Sequence, residues 1–260
     1  KTVQVFDMSY FIHNPYNIAY GLLCQVLKEL FPSKKDRFIC TTKPEDPHLK
    51  PCMIKLITFD IGKVLINFDI YLAIQKIAPF SRLAPSKIPK KIFGQPLGID
   101  FELGLINSKD FYSRLFTELQ FHENIKFPYK MFVDIFNNIF WPNNEVIALM
   151  HLLSKNFDIG LISNTNHLHY DYLLDQYSIW DRIKYPVLSF EVGIRKPDKR
   201  IYDIMVEKSG RNPNEILMID DKLENVTGAQ NVGFDAIHFT DIHSFYQEID
   251  RRNLIQPTSS

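Results

Sequence analysis

Cysteine and long apolar runs are both scarce in this chain. Its 260 residues include three cysteines, Cys24, Cys40 and Cys52. They are too few and too scattered for a disulfide framework or a cysteine-based metal cluster, so we expect reduced thiols, as is typical of a cytoplasmic protein. No apolar run approaches the roughly 18 residues that a membrane-spanning helix needs. The sequence therefore predicts no membrane partner.

An excess of either charge is also missing. Thirty basic and thirty acidic residues cancel, and neither sign forms a long run. Because nothing supplies a strong positive field, we expect no nucleic-acid partner. Hydrophobic residues make up 45% of the chain and charged residues 23%, which is typical of folded globular proteins. These numbers leave the oligomeric state open.

Five short apolar runs predict buried β-strands, because they are rich in β-branched residues and lack helical spacing. They lie at residues 54–60, 157–164, 185–190, 215–221 and 235–239. Helical patterns separate the later runs, for example from Lys199 to a C-terminal stop at Gly210. Strands that alternate with helices predict an α/β fold with a doubly wound parallel sheet.

The predicted domain organisation has three parts. Residues 54–69 and 142–250 form the α/β core, and residues 1–53 form an N-terminal extension of unknown role. Residues 70–141 carry helical patterns only, which favours a helical cap inserted over the C-terminal edge of the sheet. An alternative is a separate helical domain with no role in the site.

Polar side chains follow three of the predicted strands. They are Asp60, Ser163, Asn164, Asp220 and Asp221. Ligands of open parallel sheets bind outside the carboxyl ends of the strands, so we expect these residues to meet at one edge. Lys196, ahead of a proline and a helix, adds a cation to the set.

Four segments, in order, resemble the haloacid dehalogenase-like hydrolase superfamily: FDIGKVL, LISNTN, GIRKPDKRIY and MIDDKLENVTGA. Alone, each segment is typical of an ordinary turn or helix cap, but four in this order are not. The resemblance covers residues 54–239 and is greatest to the branch that contains glucose-1-phosphate phosphatase. The phosphatase domain of soluble epoxide hydrolase is a more distant relation.

The resemblance implies a phosphomonoester hydrolase that works through an aspartyl-phosphate intermediate. Asp60 would be the nucleophile, and Lys196 would neutralise the phosphoryl charge and keep Asp60 ionised. Ser163 and the amide of Asn164 would bind the phosphate oxygens. For Lys63 we expect a contact with the substrate.

The resemblance also implies Mg²⁺, a hard ion that prefers oxygen ligands. Asp60, the backbone carbonyl of Gly62 and Asp221 would hold the ion. Asp220 and Asn225 would orient the metal ligand and the lysine or its loop.

Most phosphatases of the superfamily carry a general acid two residues after the nucleophile, where this chain has Gly62. General acid catalysis is commonly worth about 10² to 10⁴ in rate. We therefore expect a small phosphorylated metabolite whose leaving group needs little protonation, such as an anomeric sugar phosphate. One alternative is a non-catalytic binding protein of the same fold, which Gly62 keeps open although the joint presence of Asp60, Ser163, Lys196 and Asp221 speaks against it. Another is a haloacid dehalogenase, which needs no metal and has no use for the paired Asp220 and Asp221.

Two histidines follow the second segment. His167 and His169 are two residues apart, whereas zinc-binding pairs on a helix are four apart. The spacing predicts residues at the surface or at the edge of the substrate site.

Overall fold

The computed structural model describes residues 54–93 and 96–255. The predicted N-terminal extension lies outside these residues. The described residues belong to two compact units: one contains residues 54–143 and 156–239, and the other contains residues 144–155 and 240–255. The division into core, cap and extension stays a prediction.

The described residues form seven strands. They are β1 (Leu56–Phe59), β2 (Ile66–Phe68), β3 (Phe140–Pro142), β4 (Asp158–Ser163), β5 (Ile183–Leu188), β6 (Ile216–Asp220) and β7 (Asp235–His238). Five of them form one parallel sheet in the order β5-β4-β1-β6-β7. The chain builds β4 and β5 on one side of β1, then β6 and β7 on the other, as in doubly wound sheets. The predicted α/β fold class is confirmed.

The central strand β1 explains the continuous apolar runs of the sequence. It pairs with β4 through Leu56 and Asp158 and with β6 through Leu56 and Ile216. Every residue of β1 is buried, and so is every residue of β6. A strand buried on both faces needs apolar side chains at successive positions rather than at alternate ones.

Eleven α-helices connect these strands within the described residues. They are α1 (Ile70–Ile77), α2 (Ile88–Phe93), α3 (Pro96–Glu102), α4 (Ser108–Glu118), α5 (Tyr129–Asn137), α6 (Asn144–Leu153), α7 (His167–Gln176), α8 (Ser189–Val192), α9 (Lys199–Ser209), α10 (Leu223–Asn231) and α11 (Ile242–Arg251). The helix predicted from Lys199 ends at Gly210 as expected, since that glycine adopts φ +65° in a region that side chains disfavour.

Helices α1 to α5 share an aromatic core. Phe101 stacks on Phe111 with ring centroids 4.3 Å apart, and Phe132 stacks on Phe136 at 5.1 Å. Asn107 caps α4, because its side chain accepts hydrogen bonds from two backbone amides of the first turn. This segment therefore has a packed interior of its own.

The predicted helical segment ends in a short strand rather than in a helix. Strand β3 pairs antiparallel with β2, with Phe140 opposite Phe68. The aromatic residues at this position fit a strand better than a helix end. The pairing brings both rings to the cavity described below.

The smaller unit contains α6 and α11 among the described residues. Asp241 caps α11 by accepting a hydrogen bond from the amide of Ser244 at 2.9 Å. Across residues 54–93 and 96–255, no helix has the length and apolar character to cross a membrane.

Candidate active site

Three neighbouring strands deliver the predicted site residues to one edge of the sheet. Asp60 directly follows β1, and its amide donates to the carbonyl of Ile219 in β6 at 2.9 Å. Ser163 is the last residue of β4, and Asp220 is the last residue of β6. Since β4, β1 and β6 are adjacent and parallel, their carboxyl ends meet.

Asp60 is held by three donors that all contact the same oxygen. Its Oδ1 lies 2.7 Å from the amide of Ile61, 2.7 Å from Ser163 Oγ and 3.1 Å from Lys196 Nζ. No donor from the described part of the chain reaches Oδ2. Burial raises the pKa of Asp60 to about 6, although the charge of Lys196 opposes the shift.

Lys196 is buried and fully engaged by protein acceptors. Besides Asp60, its ammonium contacts Asp220 Oδ2 at 2.5 Å and the carbonyl of Ile162 at 2.6 Å. An ammonium has three donors, so these acceptors use all of them. Burial lowers the pKa of Lys196, but the two carboxylates outweigh that effect and raise it above its usual value.

Asp220 has no exposed surface and uses both oxygens inside the protein. Its Oδ1 accepts from the amide of Lys222 at 2.8 Å and from Asn225 Nδ2 at 2.9 Å. Tyr202 in turn donates its hydroxyl to the carbonyl of Asn225. Asp220 is therefore fixed in place and in turn fixes Lys196.

The side chain of Asn164 fastens the loop that carries Lys196. Its Oδ1 accepts from the amide of Lys196 at 2.8 Å, and its Nδ2 donates to the carbonyl of Lys196 at 3.0 Å. This double contact engages both polar atoms of the Asn164 side chain. The group that the sequence predicts to bind phosphate is the backbone amide of Asn164, which does not take part in this contact.

Three carboxylates crowd the same point. Oxygens of Asp60, Asp220 and Asp221 lie within 4.8 Å of one another. Burial raises the pKa of Asp221, and the neighbouring Asp220 adds to the effect. The ammonium of Lys196 contacts only two of the three carboxylates, those of Asp60 and Asp220, so the cluster carries an excess of negative charge made of hard oxygen donors. This donor set fits a divalent, oxygen-preferring cation.

A cavity of about 280 Å³ adjoins the nucleophile loop. Its lining residues are Ile61, Gly62, Phe68, Ile70, Phe93, Glu102, Ile139, Phe140, Ser163, Asn164, Thr165, Asn166, His169, Leu173, Arg195 and Lys222. Part of this lining is aromatic or aliphatic, and part is charged or amide-bearing. Such a cavity suits a ligand that has both an apolar surface and polar groups.

The position of the missing acid is filled by a neighbour. A Cβ placed on Gly62 would lie 3.0 Å from Cε1 of Phe68, which is closer than carbon atoms normally approach. Phe68 is itself packed edge-on against Phe140 at 6.1 Å. The aromatic ring therefore occupies the space that a side chain at position 62 would need.

Lys63 does not line the cavity. Its ammonium donates to the carbonyl of Phe68 and lies 4.5 Å from the centre of that ring. The Lys63 side chain is exposed. Lys63, which the sequence predicts to contact the substrate, therefore lies beside β2 and not among the groups that surround Asp60.

His169 lies inside the protein, at the edge of the cavity, and not on the surface. Asn166 caps α7 and contacts His169 Nδ1 at 3.1 Å, and Phe136 stacks on the imidazole at 4.2 Å. Burial lowers the pKa of His169 to about 3, so the ring is neutral near pH 7. The capped helix start turns this residue inward, whereas His167 is half-buried against the ring of Phe101.

Several cavity residues were not predicted from the sequence. Phe68, Glu102 and Arg195 belong to no recognisable catalytic pattern, although Arg195 directly precedes Lys196. Only the fold brings Glu102, at the end of α3, to Arg195, where Oε2 and Nε lie 2.8 Å apart. The one sequence signal that could have placed Arg195 at the site is its position next to Lys196.

Comparisons with known proteins agree with the four sequence segments. The family model described as haloacid dehalogenase-like hydrolase matches residues 54–233. Pyrimidine 5'-nucleotidase YjjG from Escherichia coli is 27% identical over 186 residues, which cover 68% of this chain and 82% of that protein. D-ribitol-5-phosphate phosphatase from Bacteroides thetaiotaomicron is 23% identical over 192 residues, which cover 71% and 91% respectively.

A solved structure shares the fold. It is a HAD family enzyme from Bacteroides thetaiotaomicron in complex with magnesium and inorganic phosphate. The TM-score is 0.62 at 24% sequence identity, and the match covers 71% of this chain and 93% of that chain.

Proposed function

The chain belongs to the haloacid dehalogenase-like hydrolases, and on that premise we propose that it is a Mg²⁺-dependent phosphomonoesterase that acts through an aspartyl-phosphate. The observation that carries the proposal is the arrangement around Asp60. Three donors contact Oδ1, which leaves Oδ2 as the oxygen that attacks. A carboxylate held in one orientation is suited to in-line displacement at phosphorus.

The residues that would hold Mg²⁺ are Asp60, Asp221 and the carbonyl of Gly62. The close approach of three carboxylates supports this assignment, because a bound cation relieves the repulsion between like charges at such distances. When bound, the ion supplies positive charge that offsets the repulsion between a carboxylate and a phosphate. Asp220 is left out of this set, since both its oxygens are engaged by protein donors.

The proposed reaction has two steps. In the first, Asp60 Oδ2 forms a bond to phosphorus while the bond between phosphorus and the leaving oxygen breaks, and the leaving group departs as an alkoxide that takes a proton from water. In the second, water attacks the aspartyl-phosphate, which releases inorganic phosphate and restores the carboxylate. Splitting the displacement in this way lowers the barrier of each part.

Lys196 contributes charge to both steps. Its three donors are already bound to Asp60, Asp220 and the carbonyl of Ile162, so it is poised to stabilise phosphoryl charge through the field rather than through a new hydrogen bond. Ser163 has a different role, because its hydroxyl donates its single proton to Asp60 Oδ1 and would have to turn that proton toward a phosphate oxygen to bind it. The backbone amide of Asn164 supplies the hydrogen bond to a phosphate oxygen.

The substrate class follows from the group that replaces the acid. At position 62 there is no side chain to protonate a leaving oxygen, and the Phe68 ring fills that space. A leaving group of low pKa departs without such help, as the hemiacetal oxygen of an anomeric sugar phosphate does. The relatives that act on a nucleotide and on ribitol 5-phosphate support a small phosphorylated metabolite in general.

Two other functions compete with this one. A dehalogenase would not use the acidic cluster, which counts against it. A non-catalytic binding protein is favoured by Gly62, but the joint presence of Asp60, Ser163, Lys196 and Asp221 favours catalysis.

The test is phosphate release, with and without Mg²⁺, from a panel of anomeric sugar phosphates, sugar 6-phosphates and glycerol phosphate. We expect metal-dependent release, greatest for the anomeric esters, and its loss in Asp60→Asn. Asp69→Asn is a suitable control, because Asp69 only caps α1. Release from glycerol phosphate equal to that from anomeric esters would refute the leaving-group argument. No release from any ester would favour the binding protein.

A further inference from the structure

The Glu102–Arg195 pair is a partly buried charge contact that the proposed chemistry does not use. Glu102 Oε2 and Arg195 Nε lie 2.8 Å apart in the cavity lining. Both atoms are buried, and each has the other as its charged partner. Burial raises the pKa of Glu102, which the charge of Arg195 partly offsets. Buried polar atoms with spare bonding capacity at a cavity indicate a missing polar ligand.

The backbone around Glu102 is fixed, so the pair is not a mobile surface contact. Ser189 Oγ donates to the carbonyl of Glu102 at 2.6 Å. Two residues on, Gly104 has φ +69°, and a Cβ there would lie 2.2 Å from the carbonyl oxygen of Phe190. Only glycine permits so close an approach. The backbone that carries the carboxylate is therefore held in one place, as suits a binding group.

Other parts of the same cavity offer aromatic surface. Phe68, Phe93 and Phe140 all line it, and the rings of Phe68 and Phe140 pack edge to face at 6.1 Å. Aromatic faces bind apolar surface at little cost in side-chain entropy. The cavity thus joins aromatic surface to one carboxylate and one guanidinium, next to the nucleophile loop.

A sugar ring has matching chemistry. Its C–H face is apolar, and the hydroxyl groups on its rim both donate and accept hydrogen bonds. A carboxylate accepts from such hydroxyls and a guanidinium donates to them. A linear alkyl group would leave the charged pair unused, because it has no ring hydroxyls.

We propose that Glu102 and Arg195 recognise the hydroxyl groups of a sugar ring whose apolar face packs on Phe68, Phe93 and Phe140. This inference rests on the proposed phosphatase function and names the residues that select its leaving group. Neither side chain touches the scissile bond, so both are specificity residues and not catalytic ones.

The experiment compares a sugar substrate with one that lacks a ring. For each protein, kcat/KM is measured with Mg²⁺ on an anomeric hexose phosphate and on acetyl phosphate, whose acyl leaving group needs no protonation. The ratio of the two values reports recognition of the ring. The variants are Glu102→Gln and Arg195→Lys, and the matched control is Glu123→Gln, which breaks an exposed ion pair with Arg82 of 3.0 Å.

We expect each cavity variant to lower the ratio about tenfold or more, through a higher KM for the hexose phosphate, since a lost hydrogen bond to a charged group is worth that much. The control should keep the wild-type ratio. Melting temperatures verify folding, and Arg195→Lys carries the test if Glu102→Gln does not fold. An unchanged ratio in a folded variant would overturn this inference alone. If the wild type hydrolyses neither the hexose phosphate nor acetyl phosphate, the proposed function is overturned, and this inference with it.

Discussion

Restoring a carboxylate at position 62 should fail unless Phe68 is removed as well. The backbone of Gly62 is not the obstacle, because its φ is not among the positive values. The obstacle is steric: a Cβ would meet Phe68 at 3.0 Å, and Phe140 stands behind that ring. Overpacking of this kind costs about 1–3 kcal/mol. We therefore expect Gly62→Asp alone to lower stability and to gain no activity on glycerol phosphate.

The double variant Gly62→Asp/Phe68→Ala provides room for the acid. A general acid contributes about 10² to 10⁴ when well placed, so a newly introduced one should give at least about tenfold on glycerol phosphate. The proper reference is Phe68→Ala alone, which has the space but no acid. Acetyl phosphate should show no such gain, because its leaving group needs no proton. The assay is phosphate release at pH 6 to 8 for all four proteins on both substrates.

Two results would refute the reasoning. An equal gain in Gly62→Asp and in the double variant would mean that Phe68 does not block the position. If neither Gly62→Asp nor the double variant gains activity on glycerol phosphate, although both fold and still hydrolyse acetyl phosphate, position 62 does not face the leaving group.

Three further predictions concern buried groups. Asp220→Asn should lower the free energy of unfolding by about 3 kcal/mol, because it leaves a buried ammonium without its shortest contact. The control Asp203→Asn removes the carboxylate of an exposed ion pair and should lower the free energy of unfolding by less than about 0.5 kcal/mol. Equal losses for Asp220→Asn and Asp203→Asn in denaturant melts would contradict this. Ser163→Ala should lower kcat by about ten- to a hundredfold and also lower the melting temperature, since it removes one buried donor to the nucleophile; wild-type turnover would count against it. His169 has a folded-state pKa near 3 and an ordinary value of 6.5, so its neutral form is favoured in the fold and stability is lost as pH falls below 6.5. At pH 4.5 the free energy of unfolding should be about 2–3 kcal/mol lower than at pH 6.5 because of this group. Denaturant melts at the two pH values should show this loss in the control His122→Gln but not in His169→Gln.

The parts of the site that lie at strand ends could be predicted from the sequence. A buried parallel strand is a continuous apolar run, so the polar residue that ends it is conspicuous. This reasoning located Asp60, Ser163 and Asp220 before their contacts were known, and the structure brings them together with Lys196. The family and the α/β fold are confirmed. The assigned roles of these residues stay predictions.

The parts that face the leaving group could not be predicted, because no local pattern marks them. Glu102 meets Arg195 only after α3 has packed near the segment that follows β5. Phe68 approaches Gly62 through a local turn, in which the amide of Lys63 donates to the carbonyl of Ile66. The apolar and charged residues of these segments suit an ordinary helix or strand equally well. His169 shows the same limit: its sequence spacing excluded a zinc pair, but its burial depends on Phe136, more than thirty residues earlier in the chain.

The parallel sheet also determines when this site can first exist. The nucleophile leaves the ribosome before its partners: Ser163 follows 103 residues later, and the carboxylate that holds the lysine comes from β6 beyond it. Strand β1 has to wait for β4 and β6 before either of its edges is paired. Pairings between segments so distant in sequence form slowly. Activity should therefore return late in refolding, after the helices have formed, and no fragment that ends before β6 should contain a working site.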